Sequence, residues 1–442
     1  MRCTLNGSAG YPPWARTFAQ WPYFAKDEIQ AASAVLRSGK VNYWTGTEGR
    51  HFEAEFAHFS GCKHGVAVAN GTVALELALR ALGIGTGDEV ITPSRTYIAS
   101  ASCIVAVGAR PVFADVDRDS QNITAASIRS VLSPATRAII AVHMAGLPCE
   151  MDEINSVAKE YGLYVIEDCA QAHGAVYKDR PVGSCGDIGA FSFCQDKIMT
   201  TAGEGGMVTT NSEELWRRMW SYKDHGKNYA EVFEREHPFG FRYLHDSFGT
   251  NWRLSEIQSA VGRVTLRKLP NWVVTRRKYA AMLNRRLSLL PALRIAKSPE
   301  YLRHSYYKYY AFVRPEKLGR GWDRNRIASS IAEKGVPCST GICGEVYLEN
   351  AFPPEWRPSH RFPVARELGE TSLMFLVHPT LSEAAIERTC ETVERIVTDA
   401  MRMSKSISVG AISGNYPEYS ASQFTLQKKS AELLFPDISS TP

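Results

Sequence analysis

Between His64 and Glu167 the chain alternates short apolar runs with longer segments of helical period, and few architectures accept that rhythm. Val66-Ala67-Val68-Ala69, Glu89 to Thr92, Pro111 to Val116, Ala138 to Val142 and Tyr164 to Glu167 read as strands. Thr72 to Leu82, Ile98 to Val107, Ala125 to Leu132 and Met151 to Tyr161 read as the helices between them, with Gly83 and Gly162 as stops. Apolar strands separated by helices build a mostly parallel sheet covered on both faces. The expected fold class is therefore α/β, and ligands in such sheets bind at the carboxyl ends of the strands.

Lys26 to Ser38 and His51 to Phe59 are expected helices before this region, and Glu213 to Lys223 and Ser255 to Leu269 after it. Beyond Pro270 the composition shifts. A basic helix is expected from Val273 to about Leu290, an aromatic strand over Tyr306 to Val313, and helices over Asp323 to Lys334 and from Ser382 to about Ala400. This reads as a smaller α+β domain. The expected division is a loosely ordered segment 1–20, a large domain 21–270, a small domain 271–403 and a Ser/Thr-rich tail 404–442 without a core face.

The balance of charge excludes several function classes. Lys and Arg number 51 against 46 Asp and Glu, too even for a nucleic-acid binder. The runs Arg276-Arg277-Lys278 and Arg285-Arg286 read as a solvated helix face. No apolar run approaches the ~20 residues of a membrane span, and the N-terminus does not read as a signal peptide. The ten cysteines form no CxxC pair, and the closest two are Cys338 and Cys343, so neither a zinc site nor a disulfide framework is indicated. Reduced thiols and a cytoplasmic location follow as the default.

The chemistry centres on Lys197, which lies in a polar, glycine-containing loop between the apolar runs Ile188 to Cys194 and Met207 to Thr210. Gly203, Gly205 and Gly206 leave room for a flat ligand against the backbone. This setting suits a Schiff-base lysine holding pyridoxal phosphate (PLP), although a lone lysine is ordinarily only a surface charge. Other stretches complete such a site or have plainer readings. Asn70-Gly71-Thr72 ends a strand and opens a helix, as a phosphate cradle or a simple N-cap. Tyr97 stacks on a ring or belongs to the core. Asp168 ends a strand, where a carboxylate keeps a pyridine nitrogen protonated or merely caps a turn. Gln171 is within reach of a ring hydroxyl, and Ser192 of a phosphate. Asn251 is a site residue or a turn residue. Glu167 points to the other face of its strand and has no role in this reading. Gly83-Ile84-Gly85-Thr86-Gly87 has dinucleotide-type glycine spacing but follows a helix and precedes a strand, so it reads as a stop and a turn.

The order of these features resembles the DegT/DnrJ/EryC1/StrS family of PLP-dependent sugar aminotransferases. The matching stretches are Gly71-Thr72, Pro93 to Tyr97, Asp168 to Gly174, Ser192 to Lys197, Gly203 to Gly206 and Asn251 to Gln258. The resemblance implies PLP fold type I, with a seven-stranded, mostly parallel sheet and a smaller C-terminal domain. It implies Lys197 as the Schiff base, Asp168 on the ring nitrogen, Gln171 near the ring hydroxyl and Tyr97 stacking. It implies Gly71, Thr72 and Ser192 on the phosphate, joined by Asn251 from the partner subunit of a homodimer. It also implies a keto-sugar substrate, usually nucleotide-linked, with L-glutamate as amino donor, for surface polysaccharide or a secondary metabolite.

Two stretches depart from the family pattern. Gly344 to Glu349 replaces a Tyr-Pro and Leu-His pattern near the sugar, and the chain continues past the family's usual end at about Met403. Tyr43 and Trp44 are candidates to touch the sugar, or packing aromatics. A sugar dehydratase, a lyase or desulfurase using the Cys338–Cys343 segment, and a non-catalytic PLP-binding regulator are the alternatives. Members with dehydratase activity tend to carry His at the lysine position, which sets Lys197 against that reading.

Overall fold

The computed structural model describes residues 18–402. The 404–442 tail and all but the end of the 1–20 segment lie outside the described residues. Nine strands come first in the chain: β1 (His64–Val68), β2 (Glu89–Pro93), β3 (Arg110–Ala114), β4 (Thr136–Val142), β5 (Tyr164–Asp168), β6 (Val176–Tyr177), β7 (Arg180–Pro181), β8 (Ile188–Ser192) and β9 (Gly206–Thr210). All but β6 and β7 form one seven-stranded sheet in the order β1-β9-β8-β5-β4-β2-β3. Only β9 runs against its neighbours; the other four pairings are parallel. The expected α/β class and mostly parallel sheet are what the molecule has.

Helices α1 (Lys26–Ser38), α2 (Glu48–Phe59), α3 (Gly71–Ala81), α4 (Ala99–Ala106), α5 (Ala125–Arg129), α6 (Met151–Tyr161), α7 (Glu213–Lys223), α8 (Tyr229–Phe233) and α9 (Glu256–Leu287) belong to this part of the chain. The sheet is buried on both faces, and alternate residues of a strand enter different cores. On β4, Ala138, Ile140 and Val142 pack with Leu75, Leu79 and Ile104 of α3 and α4, while Ile139 and Ala141 pack with Ile154 and Val157 of α6.

Pro270 does not divide two helices. It sits inside the single 32-residue helix α9. A proline in a helix interior costs about 3 kcal/mol, but buried Leu266, Leu269, Val273, Arg276, Ala280, Leu283 and Leu287 continue one stripe across it. That burial keeps the helix whole. The expected boundary after residue 270 thus falls within a continuous element, and a separate core starts only near Tyr279.

That core packs the second half of α9 against β10 (Leu293–Arg294), β12 (Tyr309–Val313), β13 (Cys338–Ser339) and β14 (Ser372–Phe375), with α10 (Arg324–Glu333) and α12 (Glu383–Arg402). These strands form an antiparallel sheet in the order β10-β12-β14-β13. Between them in the chain, β11 (Leu302–Arg303) joins β6 and β7 in a three-stranded sheet, and α11 (Pro363–Thr371) precedes β14. The aromatic strand begins later than expected, at Tyr309. Before it, Ser305 and Tyr307 donate their N–H groups to the carbonyls of Gly146 and Ala145, in the turn after β4. Hydrogen bonding to that turn takes these residues out of the small sheet.

The basic run on α9 is not a solvated face throughout. Arg276 is buried and donates to the carbonyl oxygens of Tyr306 and Tyr307, and Arg277 donates to the carbonyl oxygen of His304. Lys278 and Arg285 are exposed. Among the described residues no helix is long and apolar enough to cross a membrane.

Candidate active site

Three strand ends of the large sheet, those of β1, β5 and β8, converge with the start of α3. Asn70 caps α3, its Oδ1 accepting the Val73 N–H at 3.0 Å. Gly71 opens the helix against Ser192 at the end of β8, where a Cβ on the glycine would stand 2.4 Å from the Ser192 Cβ. Only glycine lets the helix start come this close to the serine. The free N–H groups of the first turn, the buried Ser192 hydroxyl and the exposed Thr72 together make an anion cradle.

Asp168 ends β5 and is 5% exposed. Its Oδ2 accepts the Ser100 hydroxyl at 2.8 Å, and its Oδ1 accepts the Ala170 N–H at 3.1 Å. Ser100 lies on α4, and Tyr97, just ahead of that helix, is 65% exposed, with an open ring face. The Oε1 of Gln171 accepts the Ala145 N–H at 2.9 Å, which leaves its NH2 free to donate. Gly146 follows with φ +96°, and a side chain there would strike Ser305 Oγ and the Gln171 carbonyl.

The Lys197 loop is held from three sides. Trp21 Nε1 donates to the Lys197 carbonyl at 2.8 Å. Gln258 on α9 donates to the Glu204 carbonyl at 2.8 Å. The Tyr307 hydroxyl donates to Asp196. The Lys197 ammonium lies 5.0 Å from the centroid of the Tyr307 ring. Behind the loop, burial and the Lys197 and Arg276 charges push His173 down to about 3, so this ring is neutral.

Glu167 has a structural part that the sequence reading missed. It is fully buried, and its carboxylate accepts His143 Nε2 at 2.9 Å and the N–H groups of Gly183, Cys185 and Gly186 at 3.0, 2.7 and 2.8 Å. His143 Nδ1 accepts the Cys149 N–H, so Nε2 carries the proton. Burial acts to raise the Glu167 pKa, but His143 and the backbone donors outweigh it and hold the carboxyl below the usual range. Glu167, His143 and Cys169 lie within ligand distance of one another. Because the carboxylate and both ring nitrogens already have partners, this cluster is a structural clamp tying β4, β5 and the approach to β8.

Of its two readings, sugar contact or packing aromatic, Tyr43 takes the second: it is drawn into the core. It is 3% exposed, its hydroxyl donates to Glu53 at 2.9 Å, and the Lys223 ammonium sits 3.8 Å from its ring centroid. Trp44 stays half-buried against Trp220 and Phe233, with Lys227 over its ring at 4.1 Å. Asn251 is exposed, and the next residue, Trp252, accepts the Ala69 N–H at 2.9 Å, beside the strand that leads to the cradle. In the Cys338–Cys343 segment, burial pushes the Cys338 thiol up to about 12 and raises that of Cys343, which weighs against a thiolate nucleophile there.

Comparison with known proteins gives the same answer as the geometry. Residues 22–394 match the DegT/DnrJ/EryC1/StrS aminotransferase family. The chain belongs to that family. The solved aminotransferase of Psychrobacter cryohalolentis is 52% identical, with a TM-score of 0.85, and the match covers 87% of this chain and 99% of that one. The L-glutamine:2-deoxy-scyllo-inosose aminotransferase of Streptoalloteichus tenebrarius is 38% identical over 75% of this chain and 79% of its own. The UDP-N-acetyl-3-dehydro-alpha-D-glucosamine 3-aminotransferase of Acidithiobacillus ferrooxidans is 37% identical over 83% of this chain and 96% of its own.

DegT/DnrJ/EryC1/StrS aminotransferases are PLP-dependent, and this chain is a PLP-dependent sugar aminotransferase. The residues fit the cofactor. A cradle that excludes even a methyl group, a buried carboxylate with oriented donors and a lysine on a tethered loop occupy neighbouring strand ends. Of the supporting residues that sequence reasoning missed, Ser100 was within reach, since it stands one helical turn after Thr96, to which it hydrogen-bonds at 2.8 Å. Trp21 and Tyr307 carry no local signal, because their contacts with the lysine loop are made only by folding.

Proposed function

We propose that the enzyme moves an amino group from L-glutamate to a keto-sugar carried on a nucleotide, in the cytoplasm, as a homodimer whose two sites each use residues of both chains. The observation carrying this reading is that the Gly71–Ser192 cradle and the Ser100-bound Asp168 lie at the ends of the neighbouring strands β8 and β5, with the Lys197 loop following β8. In the proposed roles, Gly71, Thr72 and Ser192 hold the cofactor phosphate, and Asn251 of the neighbouring chain adds to it. Asp168 holds the proton on the ring nitrogen, Gln171 donates to the ring hydroxyl and Tyr97 covers one ring face. Bound there, PLP supplies a carbonyl that takes up the amino group and a protonated ring that withdraws electrons from the reacting carbon.

Lys197 is the base and acid of both half-reactions. Its Nζ takes the proton from the donor Cα and returns it at the cofactor C4′ carbon; in the second half it runs the transfer backwards onto the sugar carbon. The Tyr307 ring and the Trp21 tether keep Nζ on that path. In the proposed division, 21–270 carries every one of these cofactor-binding side chains. Trp44 is the remaining candidate for contact with the sugar.

The test is a panel of UDP- and GDP-linked keto-sugars with L-glutamate or L-glutamine as donor. Product amino sugar and the matching 2-oxo acid are measured by mass spectrometry. Equal formation of both is the expected result. A wild-type enzyme that forms no 2-oxo acid with any acceptor contradicts the reading. Sugar dehydration without 2-oxo acid assigns the dehydratase chemistry instead.

A further inference from the structure

A cavity of about 380 Å³ opens beside the Lys197 loop. Its walls include Asp196, Arg276 of α9 and Tyr307 and Lys308 from the segment before β12, with Trp21 and His378 closing one side. Arg276 is 2% exposed and has no carboxylate partner among the described residues. Its Nη1 donates to two backbone carbonyls, while Nε and Nη2 are buried without an acceptor, and the guanidinium lies 5.3 Å from the Trp21 ring centroid. The Lys308 side chain is 17% exposed, and its one ion-pair contact among the described residues is Asp196 at 3.9 Å. Asp196 already accepts the Tyr307 hydroxyl.

Buried cations are costly unless an anion meets them. This cavity holds two cations against one half-exposed carboxylate, with donors left over. A partner anion is what the arrangement lacks. The location limits which anion it is. Lys197 Nζ and Lys308 Nζ stand 5.0 Å and 4.8 Å from the centroid of the same Tyr307 ring, so the two ammonium groups share one neighbourhood. Burial, the neighbouring Arg276 and Lys197 also push Lys308 down to about 8, as expected of an ammonium whose anion is only partly in place.

We propose that this cavity receives the distal carboxylate of a dicarboxylic amino donor, with Lys308 as its ion-pair partner and the free nitrogens of Arg276 as further donors. The inference rests on the amino-donor half of the proposed function and supplies its selectivity: a donor with an apolar side chain leaves both cations unmet. A site that must be paired discriminates more strongly than a merely apolar one.

The probe is glutarate, a five-carbon dicarboxylate with no amino group to react, titrated calorimetrically into the PLP-loaded enzyme. UDP is titrated in parallel. Lys308→Met is expected to weaken glutarate tenfold or more, and Lys308→Arg to keep it within a few-fold, with UDP affinity equal in all three proteins. Asp196→Asn, a change at a half-exposed position, is expected to tighten glutarate because it removes the competing carboxylate. Single-turnover kinetics should show the preference for L-glutamate over L-alanine falling at least tenfold in Lys308→Met. Equal glutarate affinity in wild type, Lys308→Met and Asp196→Asn overturns the proposal, as does a loss of UDP rather than glutarate binding, which assigns the cations to a phosphate. A wild-type enzyme that accepts amino groups from no amino acid overturns the proposed function, and the glutarate titration still decides the cavity.

Discussion

Gly71, at the start of α3, is packed so tightly on Ser192, at the end of β8, that a methyl group on the glycine would lie 2.4 Å from the serine Cβ and 2.9 Å from its hydroxyl oxygen. Gly71→Ala should therefore push these two elements apart at the proposed phosphate cradle. Overpacking of this kind costs about 1–3 kcal/mol, so the protein should still fold while its affinity for PLP falls tenfold or more in a fluorescence titration. Gly85→Ala is the control, since a Cβ there makes only ordinary contact at 3.6 Å. Unchanged PLP affinity in Gly71→Ala would place the phosphate elsewhere.

Asp168 and Ser100 should separate by degree. Asp168→Ala removes the anion that the proposal sets against the ring nitrogen, so the variant should keep cofactor at saturating PLP and lose at least a hundredfold in kcat. Ser100→Ala removes one hydrogen bond to a carboxylate, worth about 1.5–3 kcal/mol; with the Ala170 N–H still holding Asp168, the loss should sit at the low end of that range, roughly tenfold. If Asp168→Ala turns over near the wild-type rate, Asp168 is only a turn cap.

Two buried histidines, His173 and His378, and the half-buried His304 make stability sensitive to acid. Burial pushes His173, His304 and His378 each down to about 3. His304 Nδ1 also accepts the Tyr306 N–H at 2.8 Å, a bond that a proton there would break. A folded-state pKa below the unfolded value of about 6.5 means that the unfolded chain binds more protons between those two values. Stability is thus complete above about pH 6.5 and falls as pH drops below it, by about 1.4 kcal/mol per pH unit for each histidine. Urea midpoints should be level from pH 8 to 7 and decline steeply from pH 6 to 5. A level profile down to pH 5 contradicts burial of the neutral rings.

What the sequence made legible was what a strand end makes local. Asp168, Ser192 and Gly71 sit where an apolar run stops, and a polar or glycine residue at that place has few structural reasons to be there. Lys197 was legible because two apolar runs bracket its loop. Tyr43 was not, since an aromatic after Gly39 and before Gly46 looks like a loop residue until Glu53, Trp220 and Lys223 are known to surround it. Pro270 misled because proline reads as a break locally, while the buried stripe that carries α9 through it is visible only with the packing partners. Glu167 misled in the opposite way. Its face was right, but four donors gathered from β4 and the segment before β8 give that face a purpose that no neighbour in sequence announces.

Asn251 leads to the sharpest test of the proposed dimer. It is exposed beside the strand that reaches its own cradle, and the proposal has it serve the neighbour's phosphate. Each active site then mixes two chains. Lys197→Ala removes the base from its own site, and Asn251→Asp sets a carboxylate against the phosphate of the other. Each homodimer should be nearly inactive, and Lys197→Ala should also lose the cofactor attachment that borohydride fixes in wild type. In a mixed dimer, one site combines the intact Lys197 of the second chain with the intact Asn251 of the first, and the other site carries both lesions. With free exchange about half of all dimers are mixed, so about a quarter of all sites should recover in a two-fold assembly. Co-expression with two affinity tags isolates the mixed species, and an activity assay reads the recovery. Confirmed mixed dimers with no recovered activity would mean that Asn251 acts within its own chain or away from the cofactor.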